Sequence, residues 1–532
     1  MRKIAIIFMV LFSPAVYAQG NGGVEFGWYG LIPALFAIVL AVISKQVILS
    51  LLIGVVTGAF IFSFSDQSNS FAFGLDHVFD HYLLQALANK NHASILLFSL
   101  LISAGIHVMT KMGAFNGLVL WLSRYAKSKK SALLITYFLG FVVFFDDYAN
   151  TLVVGNTMRK ITDRFKISRE KLAFIVDATA APIASVAIVS TWIGYEIQLI
   201  GDAISDAPYP GMENGFSVFI HSVGYSFYPL VILGFILVLI LSQKDFGPML
   251  QFEKDVQLID EKIEDEEAKS IKAIWAVIPI VILLFVTLLG IYSTGKREGG
   301  LIAAIQTGDC YKGLIWGSGA FLAVVTIISL FNRNRLEKNI VWIMDGMKSL
   351  FSAMAILVLA WALTAVLTDL QLGAYLGHLI QNNELSFHFI PAITFVLAAI
   401  IAFSTGSSFS TMGILIPIIV AVCVSFYSTT TFDLEIFYAA VASVLSGAVL
   451  GDHCSPISDT TILSSLATGC NHINHVNSQL IYCLICGGIA LFLIILNSLI
   501  GLNLATTYLF GVASICLIIK LLGRRSYFVL ES

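Results

Sequence analysis

Residues 138–151 read FLGFVVFFDDYANT, and this stretch decides the fold. In it, two adjacent carboxylates, Asp146 and Asp147, follow a run of aromatic and branched apolar residues. A carboxylate without a partner in hydrocarbon is costly, so an ionisable residue inside a membrane segment indicates a functional site. Whether this stretch lies in a membrane depends on the rest of the chain.

The composition is that of a polytopic membrane protein. Of 532 residues, 58% are hydrophobic and 12% are charged, whereas soluble domains have about 45–50% apolar residues. The net charge of −3 comes with basic residues in short loops rather than a continuous basic stripe, which excludes nucleic-acid binding. Cys483 and Cys486 form a C-x-x-C inside an apolar segment without zinc partners, and we interpret them as core packing.

The first residues, MRKIAIIFMVLFSPAVYAQG, have a basic start, a short apolar core and small residues before Gln19. This pattern predicts a cleavable signal peptide over residues 1–18. The alternative is an uncleaved first helix, although the apolar core is shorter than the roughly 20 residues that a span needs. Cleavage would leave the mature N-terminus outside.

Segments long and apolar enough to cross a bilayer recur along the chain. They lie near 27–43, 47–64, 94–110, 171–200, 216–241, 273–292, 313–331, 350–369, 434–466, 478–497 and 506–522. The loops that this order places in the cytoplasm carry Lys111, Arg124, Lys127, Lys129, Lys130, Arg159, Lys160, Arg164, Lys166, Arg169, Lys171, Arg333, Arg335, Lys338, Arg524 and Arg525. This distribution follows the positive-inside rule and predicts a cytoplasmic C-terminus.

Residues 132–158 do not fit as one span, because basic clusters flank both sides and both must be cytoplasmic. The segment is therefore predicted to enter and return as a re-entrant hairpin with FDDYANT at its tip. Non-helical backbone at that depth is tolerated only where protein or a water-filled cavity surrounds it.

The second half of the chain repeats short motifs of the first in the same order. GAFNG at 113–117 recurs as GAYLG at 373–377, residues 145–155 match 403–413, and APIAS at 181–185 returns as SPISD at 455–459. The predicted directions of the two halves are opposite, as in the inverted repeats of secondary transporters. The predicted fold is all-α, with two inverted repeats of about five spans plus one re-entrant hairpin each, and with interrupted helices.

The predicted divisions follow from this repeat. They are a first membrane repeat over 27–241, a cytoplasmic linker over 242–272, a second membrane repeat over 273–497 and an extra C-terminal helix over 506–522. The linker contains both acidic and basic residues. We interpret it as a solvated connector, with a regulatory role as the alternative.

Four elements are expected to meet at one site: the tip FDDYANT, its counterpart FSTGSSFSTMG (403–413), and two spans interrupted at DATAAPIAS (177–185) and GDHCSPISDTT (451–461). Proline cannot continue the helical hydrogen-bond ladder, so each interruption frees backbone carbonyls. Their oxygen-bearing residues are Asp146, Asp147, Asn150, Thr151, Asp177, Thr179, Ser404, Thr405, Ser407, Ser408, Asp452, Ser455, Ser458, Asp459 and Thr460.

These oxygens suit a hard cation stripped of water. No Lys or Arg falls near the middle of a predicted span, so the acids need His107, His453, a metal cation or a proton as counter-ion. Asp147 and Asp459 are the carboxylates at which Na⁺ and H⁺ are predicted to compete, and Asp147, Asn150, Ser458 and Asp459 are the predicted Na⁺ ligands. His453 is a candidate proton relay.

Each candidate also has a structural interpretation. Asp146 and Asp147 could cap the returning half-helix, because Asp is a favoured N-cap, and one of the two could cap while the other binds. Asp177 could hydrogen-bond within its own interrupted helix, and His453 could be a packed hydrogen-bonding residue. Glu196, beside Trp192 and Tyr195, is interpreted as lying at the membrane interface.

The stretches GDHCSPISDTTILSSLATGCNHINHV (451–476) and FFDDYANTLVVGNTMRKITD (144–163) resemble the NhaC-type Na⁺/H⁺ antiporter family. The similarity covers most of the chain, about residues 30–500. It implies two inverted repeats, a mobile domain with paired hairpins, and Na⁺-coupled exchange. No cofactor is expected, and Na⁺ is expected as the transported ion. The expected partners are Na⁺, H⁺ and the lipid bilayer of the bacterial inner membrane, with a homodimer left open.

Two transport functions are therefore weighed. The first is Na⁺/H⁺ antiport, which the absence of basic residues at mid-depth favours. The second is Na⁺-coupled transport or exchange of a small organic acid or amino acid, since Na⁺ and helix N-termini can also hold carboxylates. An intramembrane hydrolase is not favoured, because the H-E-x-x-H and G-x-S-x-G signatures are absent.

Overall fold

The fold is almost entirely helical. The computed structural model describes residues 26–44, 46–65, 71–204, 214–256, 271–295, 308–372, 375, 386–426 and 432–525. The predicted signal peptide (1–18) and most of the GAYLG motif (373–377) lie outside these residues. The described helices are α1 Leu31–Ser44, α2 Val47–Ser65, α3 Phe71–Asp76, α4 Gln85–Ala88, α5 Lys90–Lys111, α6 Ala114–Ser123, α7 Lys129–Val142, α8 Asp147–Arg164, α9 Arg169–Ala178, α10 Ala181–Ala184, α11 Ile193–Ala203, α12 Gly215–Val223, α13 Phe227–Ser242, α14 Gly247–Asp255, α15 Ile274–Thr294, α16 Cys310–Phe331, α17 Leu336–Ser349, α18 Phe351–Asp369, α19 Ile390–Thr405, α20 Ser408–Ser425, α21 Leu434–Cys454, α22 Asp459–Thr468, α23 His472–Ile500 and α24 Leu504–Leu522.

Five shorter elements accompany the described α-helices. A π-helix, His77–Leu84, joins α3 to α4, and short 3₁₀ turns at Gly27–Gly30 and Phe387–Phe389 precede α1 and α19. The two-residue strand β1, Lys244–Asp245, pairs antiparallel with β2, Arg524–Arg525. The end of the last helix is thereby tied to the segment between the two halves.

Eleven described helices or helix pairs are long and apolar enough to cross a membrane. The predicted number was similar, but the set differs. Phe387–Thr405 and Ser408–Ser425, the two arms of the second predicted hairpin, are each of spanning length, whereas Gly27–Ala41 is shorter and the predicted span 171–200 is divided into three helices. Pro182 is the second residue of the middle helix of the three, α10, where proline is tolerated in the first turn.

The predicted span 434–466 is also divided. Helix α21 ends at Cys454 and α22 begins at Asp459, with Pro456 between them. We call residues 179–192 the first interruption and residues 455–458 the second interruption. Both occur where a proline follows a small or hydroxylated residue, as the sequence predicted.

Each hairpin consists of two antiparallel helices joined by a short non-helical tip. The first hairpin is α7 and α8, and the second is α19 and α20. Asp146 caps α8 by accepting a hydrogen bond from Ala149 N at 2.7 Å, and Ser407 caps α20 by accepting one from Ser410 N at 3.3 Å. The match of residues 145–155 with 403–413 pairs Asp146 with Ser404. The residue that caps the second hairpin is therefore Ser407, three positions after the matched one.

Each hairpin tip is bonded to the interruption of its own half. Phe145 O accepts a hydrogen bond of 2.8 Å from Thr191 N, and Phe403 O accepts one of 2.8 Å from Ser455 Oγ. Gly406 ends α19 with φ +66°, a left-handed conformation that favours glycine. A Cβ at Gly406 would lie 2.7 Å from Ile457 O, so a side chain there would separate the tip from the second interruption.

The returning arm of each hairpin also packs on the other half of the chain. Helix α8 packs on α22, and a Cβ at Gly155 would lie 2.8 Å from the Cβ of Ala467. Helix α20 packs on α11, and a Cβ at Gly413 would come within 2.4 Å of the Tyr195 hydroxyl. Gly155 and Gly413 occupy matched positions in the two repeated motifs. Because neither has a side chain, each permits a close crossing of its helix with a helix of the other half.

The described part of the linker is not a solvated connector, and that interpretation was wrong for residues 244–255. The Asp245 side chain is buried and pairs with the buried Lys171. Glu253, also buried, accepts hydrogen bonds from Ser168 N at 2.7 Å and Ser168 Oγ at 2.6 Å. Burial of both acids requires partners, and α9 and its N-cap provide them. Residues 257–270 lie outside the described chain.

Candidate functional site

The tip of the first hairpin separates the roles of its two aspartates. Asp146 accepts from Ala149 N and caps α8, whereas Asp147 is the first residue of the helix and is 2% exposed. Asp147 Oδ1 accepts a hydrogen bond of 3.0 Å from Tyr148 N. One aspartate therefore caps, and the other brings a buried carboxylate to the site.

Asn150 joins the first hairpin to the first interruption. Its side-chain amide donates to Gly140 O and to Thr179 O, both at 3.0 Å. Its Oδ1 atom is buried and has no hydrogen-bond partner among the described residues. The amide nitrogen is thus used for architecture, while the oxygen is left available to a ligand.

Asp177 is fully buried at the end of α9, next to the first interruption. Its Oδ2 accepts from Thr461 Oγ1 at 3.1 Å and from Gln479 Nε2 at 3.0 Å. Its Oδ1 is buried and unpaired within the described chain. The carboxylate thus contacts α22 and α23 of the second half rather than bonding only within its own helix.

His453 links the two interrupted spans. Its Nε2 lies 2.9 Å from the main-chain oxygen of Asp177, and because a carbonyl can only accept, Nε2 carries the hydrogen. Its Nδ1 lies 3.2 Å from the Tyr228 hydroxyl. Gln479 Nε2 also donates to His453 O at 2.7 Å. These bonds fix the orientation of the ring. A proton-relay role for His453 stays a prediction, and Nε2 already donates its hydrogen to Asp177 O.

The second hairpin contributes Ser408, whose hydroxyl donates to Asp452 Oδ2 at 2.9 Å. Asp452 is 4% exposed, and its Oδ1 is buried without a partner among the described residues. Ser458 and Thr460 are buried and hydrogen-bonded to each other at 3.0 Å. The second interruption and the helix ends beside it therefore present a carboxylate and two hydroxyls.

Other predicted hydroxyls serve the backbone. Thr151, Thr179, Ser404 and Thr405 each donate to a carbonyl four residues earlier in the chain. Ser407 caps α20, and Ser455 holds the second tip through Phe403 O. A hydroxyl that donates to a carbonyl keeps lone pairs, so these residues retain acceptor capacity.

Asp459 differs from the other predicted carboxylates, because its side chain is exposed. Tyr148 OH lies 3.5 Å from Asp459 Oδ2, while Tyr148 N bonds to Asp147. The two carboxylates of the predicted Na⁺ set, which is Asp147, Asn150, Ser458 and Asp459, therefore lie at opposite ends of the Tyr148 residue. No described contact joins Asp147 to Asp459.

His107 takes no part in this site. It lies on α5 at the crossing with α17, where a Cβ at Gly346 would be 2.8 Å from the Cβ of His107. Its prediction as a counter-ion for these acids receives no support from the hydrogen bonds described.

Several site residues were not predicted from the sequence. Gln479, Thr461 and Tyr228 bond directly to Asp177 or His453, and His475 Nε2 lies 4.0 Å from Asp177 Oδ2. His475 and Gln479 are four residues apart on α23 and thus share a helix face. The polar run NHINHVNSQ at the start of an apolar span was the available signal.

Glu196 is the clearest correction. It was interpreted as interfacial, yet it is 0% exposed, and neither carboxyl oxygen has a hydrogen-bond partner among the described residues. It lies in the first turns of α11, directly after the first interruption. Its neighbours Trp192 and Tyr195, which suggested an interface, instead pack against Phe409 of the second hairpin.

The hydrogen bonds join both hairpins and both interruptions, as the sequence predicted for these four elements. The first-hairpin residue Asn150 bonds to the first interruption, Asp177 bonds to α22 and α23, and Ser408 of the second hairpin bonds to Asp452. The buried oxygens left over are Asn150 Oδ1, Asp177 Oδ1, Asp452 Oδ1 and Gln479 Oε1. Within the described chain, these bonds to the carboxylates come from neutral donors, and no Lys or Arg takes part in them.

Among the described residues, the unpaired polar atoms of Asn150, Asp177, Asp452 and Gln479 are all oxygens. No group of three or more His, Cys, Asp or Glu in the described residues is arranged to hold a metal ion. The oxygens that are present belong to carboxylates, amides and hydroxyls, which are ligand types that hard cations prefer.

Comparison with solved structures shows a fold similar to those of two other proteins. The YdaH transporter of Alcanivorax borkumensis superimposes with a TM-score of 0.58 at 14% identity, over 81% of this chain and 90% of that one. MtrF of Neisseria gonorrhoeae, from a class of antimetabolite efflux pumps, superimposes with a TM-score of 0.56 at 13% identity, over 88% and 96%. At these identities the likeness concerns the fold.

Comparison of sequences gives the family. An uncharacterized protein of Haemophilus influenzae is 33% identical over 465 residues, which are 85% of this chain and 88% of that protein. The model of the Na⁺/H⁺ antiporter family matches residues 183–498, which include the second hairpin, the second interruption and most of α23. This multi-pass membrane protein is therefore a member of the Na⁺/H⁺ antiporter family.

Proposed function

We propose that the protein exchanges Na⁺ for H⁺ across the bacterial inner membrane by alternating access, as the NhaC-type members that it resembles would. The observation that carries this proposal is the set of buried oxygens without a partner in the described chain: Asn150 Oδ1, Asp177 Oδ1, Asp452 Oδ1 and Gln479 Oε1. Leaving a buried acceptor unpaired costs about 1–3 kcal/mol, and more when it is charged. A bound cation or a proton would remove that cost.

Competition for these oxygens would couple the two fluxes. A carboxylate that holds Na⁺ cannot hold a proton on the same lone pair, and a protonated carboxyl no longer attracts the cation. Each ion therefore binds only after the other has left. The protein needs no cofactor for this exchange, and its chemistry is binding rather than bond cleavage.

The hairpins would provide the movement. We propose that the chain consists of two inverted repeats, with the divisions 27–241 and 273–497. Support comes from the reciprocal packing of α8 on α22 and of α20 on α11. Support also comes from the paired tip bonds of Phe145 and Phe403. A shift of either hairpin would open or close the network on one side of the membrane.

The test uses purified protein in vesicles with a preformed ΔpH and a fluorescent pH probe. NaCl should dissipate the gradient without any organic solute. LiCl, KCl and a panel of organic anions are tested in separate additions. Asp177→Asn and Asp452→Asn are the matched variants, because each keeps the size of the side chain and removes the charge. Both should abolish the Na⁺ response, and a response to organic anions alone would refute antiport.

One observation favours the alternative, Na⁺-coupled transport of a small organic acid or amino acid. A small, mostly apolar cavity lies beside the first interruption and is lined by Thr191, Tyr195, Phe409, Ser99, Met354 and Leu357, among others. Its apolar lining suits a carbon skeleton better than a bare ion, and the cavity would have to widen to hold an organic acid. The organic panel in the same assay separates the two functions.

A further inference from the structure

A carboxyl group outside the hydrogen-bond network lies buried in α11. Glu196 is 0% exposed, and among the described residues neither of its oxygens has a hydrogen-bond partner. It differs in this from Asp177 and Asp452, each of which has one oxygen bonded by neutral donors. Glu196 therefore has less compensation for a negative charge than any carboxylate of the described network.

Most titratable groups on α11 and on the helices that pack on it have other partners. The exception on α5 is His107, whose Nε2 is buried without a hydrogen-bond partner among the described residues and which lies at the crossing with α17. Tyr195 OH donates to Phe409 O, Asp202 contacts His92 and Gln198, and His221 bonds to Ser217 O. Asp369 at the end of α18 contacts Tyr82 and His81, and Cys423 of α20 is a buried free thiol. None of the ion pairs described in the structure includes Glu196.

The charged form of Glu196 is therefore excluded from this conformation. A buried carboxylate without a partner costs several kcal/mol, whereas a neutral carboxyl leaves only ordinary polar atoms unpaired. We propose that Glu196 is a proton-carrying residue of the exchange cycle, separate from the cation-binding network. This proposal rests on the Na⁺/H⁺ exchange proposed above.

The position of Glu196 connects it to the moving parts. Thr191 N bonds to Phe145 O of the first hairpin, and the Tyr195 hydroxyl bonds to Phe409 O of the second. Through these hydrogen bonds, movement of either hairpin would displace the start of α11. A rearrangement that admits water to Glu196 would let the O–H bond break, with the proton passing to water and the negative charge remaining on the hydrated carboxylate.

The first test compares two transport modes in proteoliposomes. Glu196→Gln replaces the protonated form by a neutral side chain of the same size, so folding should survive. ²²Na⁺/Na⁺ exchange, which needs no proton, should stay near the parent rate. ΔpH-driven ²²Na⁺ uptake should fall by about tenfold or more, within the usual range of coupling between two ligands. Glu196→Asp should recover part of the coupling, and the exposed control Glu337→Gln should change neither mode.

The second test does not depend on transport. The infrared spectrum of the parent protein should contain a protonated-carboxyl band at the high frequency typical of a group that accepts no hydrogen bond, and Glu196→Gln should remove that band. A variant that keeps full ΔpH-driven uptake, one that loses both transport modes, or an unchanged band would each overturn the proposal. If the parent gives no Na⁺ response at all, the exchange function fails, and the infrared band still decides whether Glu196 holds a proton.

Discussion

Lys171 Nζ lies 2.7 Å from Asp245 Oδ2, and both side chains are buried. Tyr482 OH donates a second hydrogen bond to the same carboxylate at 3.2 Å. Lys171 lies on α9, whose last turn carries Asp177, whereas Asp245 belongs to β1 of the linker. The linker is therefore fastened to the helix that carries a central carboxylate of the site.

Removal of either charge of this pair should destabilise the protein. Lys171→Met or Asp245→Asn leaves a buried partner without its counter-charge, which typically costs about 3–5 kcal/mol. We expect a lower midpoint of thermal unfolding in detergent for each single variant, and partial recovery in the double variant Lys171→Met/Asp245→Leu. The control is Asp345→Asn in the exposed Lys348–Asp345 pair, where the expected loss is about 0–1 kcal/mol. Equal midpoints for the buried and exposed variants would contradict the role assigned to the pair.

Asp146 should be replaceable by any good helix cap. Its carboxylate accepts from Ala149 N, and Ser or Asn can accept the same bond. Asp146→Ser and Asp146→Asn should therefore keep Na⁺-dependent ΔpH dissipation, whereas Asp146→Ala should lose about 1 kcal/mol of stability. If the Ser variant is stable but inactive, Asp146 binds the ion as well as capping the helix.

Asp147 and Asp459 should respond differently to the same substitution. Asp147 is buried at the first tip, whereas Asp459 is exposed at the start of α22. Because protons compete with Na⁺ for buried carboxylates, the apparent Na⁺ affinity of the parent should weaken as the pH falls. Asp147→Asn should weaken Na⁺ binding and flatten this pH dependence, and Asp459→Asn should change both only slightly.

The measurement is calorimetry of Na⁺ binding to purified protein at several pH values, with both variants beside the parent. Parental, pH-dependent binding in Asp147→Asn would move the coupling to Asp177 or Asp452. A large effect of Asp459→Asn would show that the exposed carboxylate enters the site in another conformation.

The first hairpin predicts a simple labelling pattern. Lys130 and Lys160 lie near the ends of α7 and α8 away from the tip, so Lys130→Cys and Lys160→Cys should both react with an impermeant thiol reagent from the cytoplasmic side only. Asn91→Cys, at the start of α5, should react only from the outside. The background should lack the seven native cysteines. Reaction of Lys130→Cys and Lys160→Cys from opposite sides would make this segment a full span.

The sequence by itself determined the class of the protein and the elements of the site. Long apolar segments have few solutions other than membrane helices, because backbone groups in hydrocarbon must be satisfied within the helix. Proline at 182 and at 456 marked both interruptions, since it cannot continue the hydrogen-bond ladder. The basic clusters on both sides of residues 132–158 predicted the first hairpin, and the sequence allowed one aspartate of the pair 146–147 to cap its returning helix.

Only the tertiary structure decided which side chains face one another. Gln479 and Thr461 reach Asp177 across about 300 positions of sequence, and no local pattern encodes such a contact. The depth of Asp459 and Glu196 was not predictable for the same reason. Asp459, expected at the buried site, is exposed, and Glu196, expected at the membrane interface, is buried. Burial depends on the neighbouring helices, which the local sequence does not specify. Helix α11 is enclosed by α12 and α20, which buries Glu196, whereas the first turn of α22 leaves Asp459 exposed.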